Sequence, residues 1–226
     1  MSIYRGDVKK IVRTKMVRTP TKTPAKIAVF MPAEECLCIK EALWQGTIDR
    51  NTTIIAIDRS RYTCQIIREV LTESGFENFF IINRQLKNAS KLLYKYGKGK
   101  IDYAFFDCCG EFTEDTADML CQKKLFAKTA YVAFTFMAFS RHWATTHFLD
   151  QTYRTMKENK EHVAIPKGCT VLPMYEDNDA QTKTVNAILY NMWSNYNDSK
   201  LTKFEGYRRK PKGRCVSMFS AQFQVK

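Results

Sequence analysis

The sequence is poor in the residues that build metal centres. It has three histidines in 226 residues and no cysteines at Cys-x-x-Cys spacing, so a structural zinc site lacks its usual ligands and no metal is expected. Long apolar runs are also missing. Residues 1–26 are broken by charge every few positions and hold no apolar core of a secretory signal. The most apolar later stretch, residues 125–140, includes Lys128 and is shorter than the roughly 20 residues that cross a bilayer. No membrane contact is expected, and the expected location is cytoplasmic. Eight cysteines are present, but Cys36, Cys38, Cys64, Cys108, Cys109 and Cys121 sit inside apolar runs. A chain of this length builds a core without covalent staples, so buried free thiols in a reducing compartment are expected.

Acidic charge is scarce at both ends. Residues 1–26 hold eight basic groups against Asp7, and residues 199–226 hold eight against Glu205. Each end therefore carries +7 of the formal +13, leaving −1 for residues 27–198. Such end-loading suits attraction to a polyanion, with nucleic acid, DNA or RNA, first among the expected partners. Residues 1–25 combine this charge with Thr19, Pro20, Thr21, Thr23 and Pro24 and show no sustained period. They read as a basic, flexible arm ahead of one α/β domain over residues 26–226.

The domain opens on a strand, turn, helix and strand. Ile27, Ala28, Val29 and Phe30 form a short apolar run, the turn 31–35 breaks it, and Leu37, Ile39, Ala42 and Leu43 mark one helical side. A second run, residues 53–57, stops at Asp58. Two apolar strands separated by a helix imply a parallel unit buried on both faces. An acid at the tip of the second strand is where such units hold a ribose hydroxyl pair. Further units follow: a helix from Arg61 closed by Gly75, a strand over 79–82 ending at Asn83 and Arg84, a helix around Leu92 to Tyr96, a strand over 101–106 ending at Asp107, a helix capped by Thr113, and a strand over 130–139. Residues 180–196 place Val185, Ile188 and Leu189 on one helical side, and residues 203–209 and 216–225 read as two strands joined by a basic turn.

Five βα units followed by an antiparallel hairpin resemble the class I S-adenosylmethionine-dependent methyltransferase fold over roughly residues 26–226. The resemblance implies a three-layer, doubly wound, mostly parallel α/β sheet whose last strand enters antiparallel beside the sixth. It also implies S-adenosylmethionine as the cofactor. The donor would lie across Pro32, Ala33 and Glu35, with its ribose at Asp58 and Arg59, its adenine beside Asn83 and Arg84, and its methyl group near Asp107. The family's turn after the first strand is glycine-rich, whereas residues 31–36 here contain no glycine; Ala33 serves if the turn is wider. The catalytic candidates are Asp107 and, after the fifth strand, His142, which beside Trp143 could stack a base and move a proton.

The same positions bear on the reaction. Asp107, Cys108, Cys109 and Gly110 stand where amino-methylating DNA enzymes carry Asp or Asn, two prolines and an aromatic, so the contacts to a flipped base do not carry over. No proline precedes Cys108 or Cys109, as the thiolate of a cytosine-C5 enzyme would require. For 2′-O-methylation of RNA, Lys26, Asp107 and Glu205 fall near the right elements of a Lys-Asp-Lys-Glu set, with Arg141 in place of the second lysine, although arginine cannot act as a base. The leading expectation is a methyltransferase acting on or binding nucleic acid. The alternative is an inactive member of the fold that serves as a nucleic-acid-binding or protein-interaction module.

Overall fold

The computed structural model describes residues 7–108, 110, 112–120, 122–137, 143–159, 185–190, 200–209 and 216–225. Seven strands form one sheet: β1 (Ile27–Phe30), β2 (Thr53–Asp58), β3 (Phe79–Asn83), β4 (Ile101–Asp107), β5 (Phe126–Met137), β6 (Lys200–Arg209) and β7 (Val216–Gln224). Their order is β3-β2-β1-β4-β5-β7-β6. The first five are parallel to one another, and β7 enters antiparallel between β5 and β6. The helices are α1 (Asp7–Val17), α2 (Leu37–Trp44), α3 (Arg61–Glu73), α4 (Ser90–Gly97), α5 (Glu114–Leu120) and α6 (Trp143–Glu158).

Both faces of the central parallel strands are buried because those strands are apolar along most of their length. Val29, Ile55, Ile57, Ala104, Phe106, Val132 and Phe134 face one core, while Ala28, Phe30, Ile54, Ala56, Tyr103, Phe105, Tyr131 and Ala133 face the other. This two-sided burial is what near-continuous hydrophobic strands in a parallel sheet require. Cys36, Cys38 and Cys64 are buried free thiols and Cys108 is a half-buried one. Among the described residues no helix is long and apolar enough to cross a membrane, and no cluster of three His, Cys, Asp or Glu side chains could hold a metal ion.

Two expectations about the chain are corrected. The segment read as a flexible arm contains α1, whose Val12, Met16 and Val17 are buried in the second core. Each such side chain contributes roughly 1.5–3 kcal/mol of burial. The helix's final carbonyls, which have no intrahelical donors, are met by side chains from far along the chain. Tyr103 and Gln222 donate to the Met16 carbonyl at 3.3 and 2.7 Å. Thr47 donates to that of Val17 at 2.9 Å, and the Lys203 ammonium donates to those of Lys15 and Arg18. The fifth strand also begins four residues earlier than expected, at Phe126 rather than Ala130. A register shift between Ile101 and Tyr103, with Thr129 at φ 74°, lets β5 accommodate the exposed Lys128 and Thr129 and continue pairing with β4.

Candidate functional site

The sheet order reverses at β1, which pairs with β2 on one side and β4 on the other. Crevices for ligands form at such a switch point, outside the carboxyl ends of the strands. The chain leaves β1 with the Met31 N–H donating to the Phe105 carbonyl at 3.2 Å. It then turns through two residues in the left-handed region, Ala33 at φ 51° and Cys36 at φ 49°, before α2 begins. The glycine-free turn therefore adopts the kind of backbone that glycine usually supplies, with alanine and cysteine carrying the steric cost.

Asp58 ends β2. Its Oδ1 accepts the Ser60 N–H at 2.7 Å, and the Ser60 hydroxyl caps α3 by accepting from the Thr63 N–H. Oδ2 takes no hydrogen bond from the described residues. Asn83, in register beside Asp58, donates its amide to the carbonyls of Asp58 and Arg59 at 3.2 and 3.0 Å and so locks the two loop starts together.

Two cavities meet at this point. One, of about 370 Å³, is lined by Lys9, Arg13, Met31, Pro32, Ala33, Glu34, Glu35, Leu37, Cys38, Asp58, Thr63 and Asp107. The other, of about 440 Å³, is lined by Met31, Asp58, Arg59, Arg84, Gln85, Leu86, Lys87, Cys108 and Thr116. Both include Met31 and Asp58, so Asp58 stands at the junction of a single bent cleft. Of the expected donor-site residues, Pro32, Ala33, Glu35, Asp58, Arg59, Arg84 and Asp107 line it; Asn83 does not and acts through the loops it ties. His142 and Arg141 lie outside the described residues.

Helix α1 brings to the cleft what the sequence reading missed. Lys9 Nζ sits 3.0 Å from Asp107 Oδ2, and Arg13 lines the same cavity. The spacing of Val12 and Met16, one helical turn apart, was the available signal for this helix. Lys26 does not join Asp107. It precedes β1, and its N–H and that of Ile27 are held by Asp102 at the opposite end of β4 from Asp107. Glu205 pairs instead with Lys15 at 2.7 Å. Asp107, Thr135, Ser220 and Glu205 are successive register partners across β4, β5, β7 and β6, with a 2.7 Å hydrogen bond between the buried Thr135 and Ser220 hydroxyls. Three strand spacings of about 4.8 Å put Glu205 roughly 14 Å from Asp107. The expected four-residue set is therefore not assembled around one atom. The thiols near the turn are held neutral: burial pushes Cys36 up to about 11, against a smaller opposing effect of Lys40, and pushes Cys38 higher still, reinforced by Asp107. Neither is a thiolate nucleophile.

No protein-family model and no curated protein matches the sequence. Solved structures do match the fold. The M. jannaschii TYW2 in complex with AdoMet aligns with a TM-score of 0.51 at 12% identity, covering 100% of this chain and 79% of that one. The strand order, with its antiparallel β7 between β5 and β6, decides the architecture. The chain has the class I methyltransferase-like fold. Two further structures share this fold: the fibrillarin/Nop5p complex, with a TM-score of 0.52 at 13% identity over 90% of this chain and 75% of that one, and cofactor-bound Rv0187 from MTB, with 0.52 at 9% over 100% and 83%. In methyltransferase-like terms, the bent cleft lies at the carboxyl ends of β1, β2 and β4, with Asp58 in its middle and Asp107 at one end.

Proposed function

We propose that this chain is an S-adenosylmethionine-dependent methyltransferase acting on nucleic acid. The observation that carries the reading is Asp58: one carboxylate oxygen is fixed by its own loop, and the other is available where the two cavities join. The residues present fit the donor. Each cavity lies within the roughly 300–1,000 Å³ usual for small-molecule sites, a carboxylate suits a pair of vicinal hydroxyls, and the left-handed turn at Ala33 lets the backbone approach a ligand despite the missing glycines.

S-adenosylmethionine supplies a methyl group on a sulfonium leaving centre. Asp58 Oδ2 accepts from the ribose hydroxyls, with Arg59 and Arg84 along the arm of the cleft beyond it. The turn from Met31 to Cys36 borders the other arm. Asp107 accepts a hydrogen bond from the attacking group and orients it, and Lys9 holds that carboxylate in place. The basic groups of α1 and the positively charged chain ends attract the polyanionic substrate.

Calorimetry with S-adenosylmethionine tests this. The wild-type chain should bind. Asp58→Ala should weaken binding about 10- to 150-fold, the equivalent of about 1.5–3 kcal/mol for hydrogen bonds to a charged group. Asp58→Asn, which keeps one acceptor, should fall between them. Absence of wild-type binding at millimolar donor would leave the rival reading, a fold member that binds nucleic acid or protein without transferring a methyl group.

A further inference from the structure

The near-neutral body of the chain is itself polarised. Residues 59–100 hold nine basic side chains against Glu69, Glu73 and Glu77, and within residues 84–100 there are six basic side chains and no acidic one. Lys91 and Lys95 lie one turn apart on α4, and Lys98 follows in the left-handed position that ends the helix. All three are exposed. Like charges at this spacing cost a helix a few tenths of a kcal/mol per pair, and no acid within the segment offsets them.

Aromatic rings are exposed among these cations. Tyr94 is 51% exposed, and the Lys124 ammonium stands 5.9 Å from its ring centroid. Two residues on, toward the opposite flank of the helix, Tyr96 stacks on Phe80 of β3 with centroids 4.3 Å apart and planes 8° from parallel. Lys95 lies 5.6 Å from the Tyr96 ring centroid. The sheet order ends on β3, so the Tyr96–Phe80 flank of α4 is the one toward the sheet's outer edge, while Tyr94, Lys91, Lys95 and Lys98 stand on the exposed side of the helix. Lys87, Arg84 and Arg59, which line the second cavity, continue the cationic track from α4 to Asp58.

We propose that the exposed face of α4 binds a single strand of nucleic acid, with Lys91, Lys95 and Lys98 on successive phosphates and Tyr94 stacking a base, and that the strand runs from there toward the cleft. The proposal rests on the nucleic-acid reading above and names the surface that carries it. Exposed rings set among lysines suit a single strand, whose unpaired bases offer their faces. A duplex presents mainly phosphate and would leave the rings unused, and an acidic peptide needs the cations alone.

The test is fluorescence anisotropy on the full chain with labelled 20-nucleotide oligothymidylate and oligouridylate, a 20-base-pair duplex and polyglutamate, over a salt series. Lys91→Gln/Lys95→Gln/Lys98→Gln should make the slope of log K against log salt shallower by about 2, at about 0.7 per phosphate contact for single strands, and weaken binding on the order of a hundredfold at 0.1 M salt. Tyr94→Leu should weaken the single strands roughly 5- to 100-fold, leaving the slope and duplex affinity unchanged. Thermal melts monitored by circular dichroism establish that each variant is folded. An unchanged slope in the triple variant overturns the proposal, as does equal loss of duplex and single strand in Tyr94→Leu, or binding of polyglutamate without binding of either oligonucleotide. Donor calorimetry on the triple variant should match wild type, because these lysines line neither cavity. Strand binding without donor binding removes the enzyme reading and leaves the surface standing, whereas donor binding without strand binding removes the surface alone.

Discussion

Replacing Ala33 by glycine tests whether the turn after β1 is the ligand-approaching turn that its backbone describes. Ala33 is exposed and sits at φ 51°. Holding an L-residue in that region costs roughly 1–2 kcal/mol. Glycine removes that cost and adds about 0.5–1 kcal/mol of chain entropy to the unfolded state. The balance is a stabilisation from near zero to about 1.5 kcal/mol, which for a chain of this size raises Tm by no more than about 6 °C, at roughly 2–4 °C per kcal/mol. The assay is urea unfolding, read from the midpoint at constant m. Ala127→Gly in β5 is the control, where extended backbone should make glycine cost about 0.5–1 kcal/mol. If Ala33→Gly destabilises as much as the control, Ala33 is not held left-handed and the turn is not of the glycine type. The same substitution removes a methyl group from the cavity wall, so donor affinity measured by calorimetry should hold or rise.

Met16→Ala should cost about 2–5 kcal/mol in urea unfolding, because Met16 is fully buried beneath α1 and its loss leaves a cavity; a cost under 1 kcal/mol would mean that α1 is not docked in solution. Lys203 reads out the other end of this contact. Burial, and to a smaller extent Arg18, pulls its pKa from 10.5 down to about 8. Below pH 8 both folded and unfolded chains hold the proton, and between about 8 and 10.5 only the unfolded chain does, so this group makes stability rise with pH across that window. The rise should appear as the difference between wild type and Lys203→Met in urea midpoints taken from pH 7 to 10.5, and a flat difference refutes it. Lys9→Met should change stability by less than about 1 kcal/mol, since the Lys9–Asp107 pair is partly solvated. It should lower turnover more than donor affinity in a methyl-transfer assay; a selective loss of donor affinity would place Lys9 on the donor rather than on Asp107.

Strands β1, β2 and β4 were legible because they are largely apolar runs, as a sheet that buries both of their faces requires. Asp58 was legible for the same reason: a polar residue ending an apolar run marks the strand tip, where the ligand crevice opens. The left-handed backbone at Ala33 and Cys36 was not legible, since neither residue type favours positive φ. Helix α1 was hidden by its own charge. Its buried stripe covers little more than one turn, and the partners that complete its final carbonyls, Tyr103, Lys203 and Gln222, lie far along the chain. The Lys9–Asp107 contact follows from that docking and not from any local pattern.

Placing α1 on the sheet changes what the charge distribution means. Lys9 and Arg13 border one arm of the cleft, and Arg59, Arg84 and Lys87 border the other, while Asp58 stands between them and Glu34, Glu35 and Asp107 line the first arm. Under the proposed function the two reactants carry opposite charge: the sulfonium donor is drawn to the carboxylates and the phosphates of the acceptor strand to the cations. Charges along a low-dielectric cleft focus the field more strongly than the same charges spread over a surface. Apart from the shared Asp58, the charged lining of the second arm is cationic and suits phosphate, whereas the first arm carries both signs; this distribution orients the two reactants. It also sets how salt acts on each: added salt should weaken acceptor binding steeply, in proportion to the phosphates engaged, while the donor, held at the half-buried junction by hydrogen bonds to Asp58, should be less sensitive. A donor affinity that falls with salt as steeply as acceptor affinity would show that both reactants meet only the cationic rim.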